Sequence, residues 1–499
     1  MAPVALDADG TATGDRPRQH YRVTFGVLAI GTLAYVLMQS MVLPALATIQ
    51  HDLHTSESAV AWLLSAFLVS SSVATPILGR LGDMFGKEKM LVLVFAVLAA
   101  GTILGGFAGS LWLLIVARVI QGVAGAVFPL AFGIIRDEFP TEKVAGGIGL
   151  ISALLGIGAG VGIIVGGPVV QHLSYHWLFW FPLVLVVAAL VATIRFIPES
   201  PVKTPGKVDV RGAVLMSAWL VAVLVGVTEG PVWGWGSAGV IGLFGATVVF
   251  FAIWVRVELT ARQPLVDMRV MRIPTVWWTN VAALLFGIGM YASIVVLPPF
   301  VETPTRAGYG FGASATMAGL FLVPSALGTL VAGLYNGRIT AAIGAKGALV
   351  VSGVASAVPF GVLAVAHSAP WEVYSASALS GLGLGLGFAA LTNLVVDAVP
   401  ATVTGVATGM NANVRTIGGA VGSQIVASIL TAGVLASGYP TERSYGLAFG
   451  FMAAAFLLAT VAAIVVPVSR QGLVDPEVGG DPAHRRPAGA SAAGAREVR

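Results

Sequence analysis

Two arginines, Arg118 and Arg415, stand inside long apolar runs of this chain, and no aspartate or glutamate lies within those runs. A charge near the middle of a membrane span costs at least about 2–3 kcal/mol, so such residues default to function. Gln121, Gly122 and Gly125 follow Arg118 at i+3, i+4 and i+7, giving one helical face a charge, an amide and two bare backbone positions. Arg415 repeats the spacing with glycine throughout: Gly418, Gly419 and Gly422 follow it at i+3, i+4 and i+7, and Asn411 stands four residues before it. Each arginine can face a cavity, binding substrate or steering a proton, or can clamp neighbouring helices. A cavity with two arginines and no carboxylate has a positive potential and disfavours lipophilic cations. The expected substrate is therefore neutral or anionic, such as an amphipathic natural product.

Other candidate substrate contacts are Tyr35 and Gln39 on one face of the first run, Phe67 in the second, and Asn280 and Tyr291 in the ninth. A mostly apolar pocket with a few polar groups suits drug-sized molecules. Glu229 and Asp397, at the ends of two runs, are the candidate proton carriers; each could equally cap a helix or join an interfacial ion pair. Gly158, Gly162 and Gly166 recur every four residues, with Gly167 beside them, and are assigned to close helix packing. His51, His54, His172 and His176 fall in loops without a carboxylate cage, so no metal site is expected.

Positioning those residues requires a membrane. Hydrophobic residues make up 57% of the 499 and charged residues 10%, with mean hydropathy +0.90. Apolar runs of about 20 residues alternate with short polar breaks. They lie near 23–46, 59–78, 90–109, 111–133, 144–170, 177–197 and 212–228, then 237–255, 274–300, 315–336, 347–366, 373–396, 404–432 and 446–468. The first 20 residues have no apolar core, so no cleavable signal is expected. With both termini and every even-to-odd loop in the cytoplasm, 23 of the 27 Lys and Arg residues fall on that side. The positive-inside rule predicts that orientation.

The segment Gly79-Arg80-Leu81-Gly82-Asp83-Met84-Phe85-Gly86-Lys87 has a degenerate copy at Gly337-Arg338 through Gly344, 258 residues later. In both, the glycines are expected to make a tight reversal between helices. The same offset relates Gly147 to Gly405 and Gly160 to Gly418. It pairs runs 1–6 with runs 9–14 and leaves runs 7 and 8 as an inserted pair.

Gly79–Lys87 resembles the signature loop of the major facilitator superfamily. Trp62 through Phe67 with Pro76 to Arg80, the Arg118-x-x-Gln121-Gly122-x-x-Gly125 pattern, and His176-Trp177-Leu178-Phe179 are similar to further family segments in the family's order. Fourteen spans with an inserted pair resemble the drug:proton antiporter branch. Two positions depart from it. Pro168 comes after Gly162-Ile163-Ile164-Val165-Gly166-Gly167 rather than within it, and Tyr35 stands where many drug antiporters carry an embedded aspartate. The resemblance implies that Gly79, Arg80, Asp83, Gly86 and Lys87 form a conformational switch. In it Asp83 would dock on the N-terminal end of the helix starting near Thr404-Gly405.

No phosphate-cradling Gly-x-x-x-x-Gly-Lys-Ser/Thr loop occurs, cysteine is absent, and no break has room for a catalytic domain, so an enzyme is not expected. The expectation is an all-α membrane protein of the superfamily fold, with two six-helix bundles plus two inserted helices, fourteen transmembrane helices in all. Its parts would be an N-tail (1–22), an N-terminal bundle (23–197), the inserted pair (198–273), a C-terminal bundle (274–468) and a disordered C-tail (469–499). It would be a proton-coupled exporter in the cell membrane, with both termini cytoplasmic. A dedicated transporter of an endogenous metabolite, or a non-transporting sensor or assembly factor, are the alternatives. The expected partners are a small-molecule substrate and the lipid bilayer, with no nucleic acid and no cofactor beyond the proton gradient. The chain is expected to act as a monomer.

Overall fold

The computed structural model describes residues 20–55, 57–200, 203, 209–261, 264–435 and 439–467. Most of the expected N-tail and the whole C-tail lie outside the described residues. Within them the regular structure is helical, apart from one antiparallel bridge between Val434 and Pro440. Helices α1 to α6 are Tyr21–Ser40, Leu46–Asp52, Glu57–Phe85, Lys87–Gly106, Leu111–Gly122 and Val127–Glu138. Next come α7 Thr141–His172, α8 Trp177–Phe196, α9 Val210–Trp233, α10 Ala238–Thr260 and the short α11 Met268–Met271. The last five are α12 Pro274–Glu302, α13 Ala315–Leu363, α14 Pro370–Ala398, α15 Thr404–Ala432 and α16 Glu442–Val465.

Twelve helical stretches among the described residues are long and apolar enough to cross a membrane. α15 is as long, at 29 residues, but less apolar, because it carries Asn411, Asn413 and Arg415. Helices suit such a solvent because each satisfies its own backbone groups. Their starts are set by side chains that accept the first free N–H groups: Ser110 for Leu113 in α5, Ser237 for Val240 in α10 and Ser314 for Met317 in α13.

Apolar packing forms separate cores. One joins α1 to α8 through Leu28, Phe67, Phe95, Leu130 and Phe179. Another joins α12 to α16 through Phe286, Phe300, Phe360, Tyr445 and Phe456. A third, with Met216, Trp219, Leu220 and Trp254, seats α9 and α10 against Val406 and Met410 of α15 and Val73 and Ile77 of α3. Glu258, near the end of α10, is buried there and accepts from Trp254 Nε1 at 3.0 Å and Val266 N at 3.2 Å. The outer face of α10 exposes Ile241, Val248, Val249 and Phe251, as a lipid-facing helix would.

The expected tight reversals fall on the last glycine of each copy, Gly86 (φ 117°) and Gly344 (φ 73°), which take positive φ, while Gly79, Gly82 and Gly337 keep helical backbone. Helices here run on past the apolar runs into the polar edge, so the turn is compressed onto one residue. For the same reason α13 runs through residues 337–343, breaking only at Gly344. That extension also brings carboxylates inside helices: Glu229 lies in α9, and Asp397 in α14.

The two cores meet along two seams. In the first, Gly79 of α3 lies against the Gly405 backbone of α15, Gly409 against Pro76, and Asn413 Nδ2 donates to Ser72 O. In the second, Gly337 of α13 lies against Gly146 of α7, Asn336 Nδ2 donates to Ala145 O at 2.9 Å, and Gly156 and Gly160 meet Thr329 and Ala326. On another face of α7, Gly158 and Gly162 turn to Val36 and Ser40 of α1 and Gly166 to Met41 just after it, in their own core. The first seam runs from the end near Asp83, here called the basic side, as far as Asn413, and the second from Gly337 and Gly146 on that side as far as Gly160.

Candidate functional site

Beside the seams, a cavity of about 80 Å³ lies between the cores. α1 contributes Tyr35 and Gln39, α3 Leu68, Ser71, Ser72 and Thr75, and α6 Phe128 and Phe132. Ser152 and Leu155 come from α7, Tyr291 from α12, and Phe388 and Thr392 from α14. α15 supplies Thr408, Asn411, Asn413, Arg415 and Thr416. Of the residues singled out from sequence, Tyr35, Gln39, Tyr291, Asn411 and Arg415 line it. Two lie one layer behind: Phe67 stacks on Tyr35 at 5.7 Å, and Asn280 Oδ1 accepts from Asn411 Nδ2 at 2.8 Å.

Arg118 and Gln121 are not in the wall. Arg118 is fully buried; its Nε donates to Leu63 O at 2.9 Å and its Nη1 to Met38 O and Gln121 Oε1, both at 3.0 Å. Its guanidinium also lies 4.2 Å over the Phe67 ring, and Gln121 Nε2 reaches Gly101 O at 3.2 Å. These bonds tie α5 to α1, α3 and α4, so this arginine clamps helices. Arg415 is placed differently. It lies over Phe388 at 4.8 Å, at the cavity wall, and no described residue accepts a hydrogen bond from its guanidinium.

The glycines after each arginine bring backbones together. Gly122 meets Phe67 O and Gly125 meets Ser71, which joins α5 to α3. Gly418 meets Leu284 O, Gly422 meets Ile288 O and Gly419 meets the Tyr291 ring, which joins α15 to α12 and sets Tyr291 at the cavity. On α7, Gly158 and Gly162 face Val36 and Ser40 of α1, and Gly166 faces Met41 just after it. Gly167 does not pack: nothing described lies within 4 Å of its Cβ direction. One residue on from Gly166 is about 100° around a helix, which turns it off the α1 face.

On the basic side Asp83 is buried, and its Oδ2 accepts from the N–H groups of Gly405 at 3.0 Å and Val406 at 3.3 Å, the first turn of α15. That N-terminus has no side-chain cap of its own, and a carboxylate there satisfies free donors and complements the helix dipole. Lys87 Nζ lies 2.7 Å from Asp137 Oδ2 and 4.0 Å from Asp83 Oδ1, and donates to Ser200 Oγ at 3.3 Å. Arg136 reaches Thr404 Oγ1 at 2.5 Å and Val399 O at 2.9 Å. Gly86 backs onto the Glu199 carboxylate, and Arg80 is half-buried beside this network. The sequence reading missed Arg136, Asp137 and Ser200; a charge pair closing the Arg118 run next to a switch loop was the available signal.

Glu229 is buried in α9, away from the cavity wall, and Asp397 is exposed near Arg136. Among the described residues no three His, Cys, Asp or Glu side chains gather to hold a metal.

Two related cores, pinned on one side of a shared cavity, are the frame against which known proteins compare. The family model described as Major Facilitator Superfamily matches residues 28–423 and, again, 279–491. The chain belongs to the Major Facilitator Superfamily. Its relatives include the tetracenomycin C resistance and export protein of Streptomyces glaucescens, 28% identical over 82% of this chain and 76% of that one. Multidrug resistance protein 3 of Bacillus subtilis is 27% identical over 82% of this chain and 79% of its own. The probable actinorhodin transporter of Streptomyces coelicolor is 27% identical over 84% and 74%. Among solved structures, the human organic anion transporter MFSD10 (TETRAN) superposes with a TM-score of 0.64 at 16% identity, covering 89% of this chain and all of that one. That likeness concerns the fold. Members of this superfamily are membrane transporters and not enzymes, and the chain is one of them.

Proposed function

We propose that this chain is a proton-driven exporter of drug-like or natural-product small molecules, working by alternating access in the plasma membrane. The observation that carries the reading is a cavity lined from both cores and shut on the basic side by a glycine seam and a carboxylate cap. Such a shared, capped cavity suits an alternating cycle. The names of the three bacterial relatives, which speak of tetracenomycin C resistance and export, multidrug resistance and actinorhodin transport, support drug or natural-product export.

Within that reading the chain crosses the membrane fourteen times. Counting the arms of α13 on either side of Gly344 as two spans and adding α15 to the apolar helices supports that number. Two bundles with α9 and α10 inserted between them, and both termini in the cytoplasm, complete the arrangement. Arg415, Tyr35, Gln39, Tyr291 and Asn411 meet substrate, Asp83 and Lys87 work the latch, and the protein acts as a monomer without a cofactor. Glu229, buried in α9, is the better placed of the two candidate proton carriers, since Asp397 is exposed.

The test is a chemically diverse efflux screen in cells lacking their own pumps, with and without an uncoupler. At least one compound class is expected to accumulate less when the protein is made, and to recover its accumulation with the uncoupler. If no compound responds in that way, the chain is not a proton-driven exporter.

A further inference from the structure

The two intramembrane arginines differ in what they leave free. Arg118 spends its Nε and Nη1 on the carbonyls of Leu63 and Met38 and on Gln121. Arg415 makes no such bond to any described residue; Phe388 covers one face of its guanidinium at 4.8 Å. Stacking occupies the face of that planar ion and leaves its rim of N–H donors available. It is also the only charged side chain among the described residues that line the cavity. A carboxylate there would have balanced it, and none is present in the wall.

The surroundings suit a particular anion. Tyr35 and Phe128 meet edge to face at 5.9 Å on the opposite core and give the cavity an aromatic wall. Tyr35 and Tyr291 line the same cavity as Arg415, and a phenol group can donate to an acid held there. An inorganic ion would use the donors and leave the rings bare. An ammonium group would meet an unbalanced positive charge in a low-dielectric site.

We propose that Arg415 is the counter-ion site for an acidic group, a carboxylate or ionised phenol, on a planar aromatic substrate whose rings lie against Tyr35 and Phe128. This rests on the exporter reading and narrows it to organic anions.

Binding to the purified full-length protein in lipid nanodiscs tests it, with three probes on one ring system: anthracene-9-carboxylate, its methyl ester and 9-(aminomethyl)anthracene. The acid is expected to bind at least about tenfold more tightly than the amine, the scale of a charge-assisted hydrogen bond. Arg415→Gln should weaken the acid about tenfold and leave the ester within about twofold, and Arg415→Lys should keep part of the preference. The wild-type comparison of acid and amine needs no variant to fold. The proposal is overturned by parity of acid and amine, by equal losses of acid and ester in Arg415→Gln, or by no saturable binding of the acid to the wild type. Arg415-dependent acid binding without uncoupler-sensitive efflux would sink the exporter reading alone. Uncoupler-sensitive efflux without acid preference would sink the anion site alone.

Discussion

The carboxylate of Asp83 accepts the backbone N–H of Gly405 at 3.0 Å, joining residues 322 positions apart. The pseudo-equivalent seam, between Gly337 and Gly146, has no such bond to make. At the 258-residue offset, Asp83 corresponds to Ala341. The seams therefore match in glycine and differ in charge, and only the α3–α15 seam carries a carboxylate latch.

Asp83→Asn should weaken that latch and leave the fold intact. A carboxylate at a helix N-terminus contributes about 0.3–1 kcal/mol, and up to about 2 kcal/mol when partly buried. The amide keeps an acceptor but loses the charge. Transport per molecule is expected to fall about three- to tenfold, with expression and membrane insertion unchanged. Initial rates normalised to protein in the membrane check this, and an undiminished rate would show that the bond is not a latch.

Substituting the seam glycines should act on closure rather than on the latch. A Cβ on Gly79 would stand 2.7 Å from Gly405 O, whereas one on Gly337 would stand 3.1 Å from Gly146 Cα. Backbone cannot yield as a side-chain tip can, so Gly79→Ala should hold the basic side open more strongly than Gly337→Ala. The chain has no cysteine, so a Ser72→Cys reporter can be labelled without background. Its labelling from the basic side should rise in Gly79→Ala and less in Gly337→Ala; equal labelling of both variants would contradict the ordering.

Much of this was legible in the sequence, and what escaped it shares a physical cause. Run length and the asymmetry of lysine and arginine reflect the lipid solvent, which acts on every residue, so the helices could be read directly. The 258-residue repeat paired runs 1–6 with runs 9–14, but it did not reveal that Gly79 and its copy Gly337 each stand at a seam between the cores. Side-chain direction was not legible. Arg118 and Arg415 sit in similar glycine patterns, yet one turns into its own bundle and the other toward the cavity. The choice depends on Met38, Leu63 and Phe388, which are remote in sequence. Asn336 and Asn413, each donating to a carbonyl across a seam, escaped for the same reason. Helix ends were misread because hydropathy marks the apolar slab, while α3 and α13 continue past it to Gly86 and Gly344.

Arg118 variants should fail by instability. Removing the guanidinium leaves the buried carbonyls of Leu63 and Met38 without a donor, each stranded acceptor costing about 1–3 kcal/mol. Arg118→Gln should therefore lower the thermal midpoint and the yield of monodisperse protein together. Lysine should not rescue it, because one ammonium cannot reproduce the planar fork that spans two carbonyls and Gln121. A stable Arg118→Gln protein with selectively weakened ligand binding would move this residue back to the cavity.

Lys87 and Asp137 offer a sharper test, because their effects should be unequal. Lys87 has a side chain only 2% exposed and stands between two carboxylates, 2.7 Å from Asp137 and 4.0 Å from Asp83. Lys87→Met leaves both carboxylates buried without their cation. Asp137→Leu leaves Lys87 still facing Asp83. Breaking a buried pair from one side costs about 3–5 kcal/mol, whereas replacing both partners with apolar groups is often close to neutral. The expected order of thermal midpoints is Lys87→Met lowest, Lys87→Met/Asp137→Leu intermediate and Asp137→Leu highest of the three. The double variant improves on the first by removing one stranded charge, but Asp83 has lost Lys87 and keeps its helix cap with Arg80 and Arg136 nearby. Additive losses in the double variant would mean that Lys87 and Asp137 do not act as a pair.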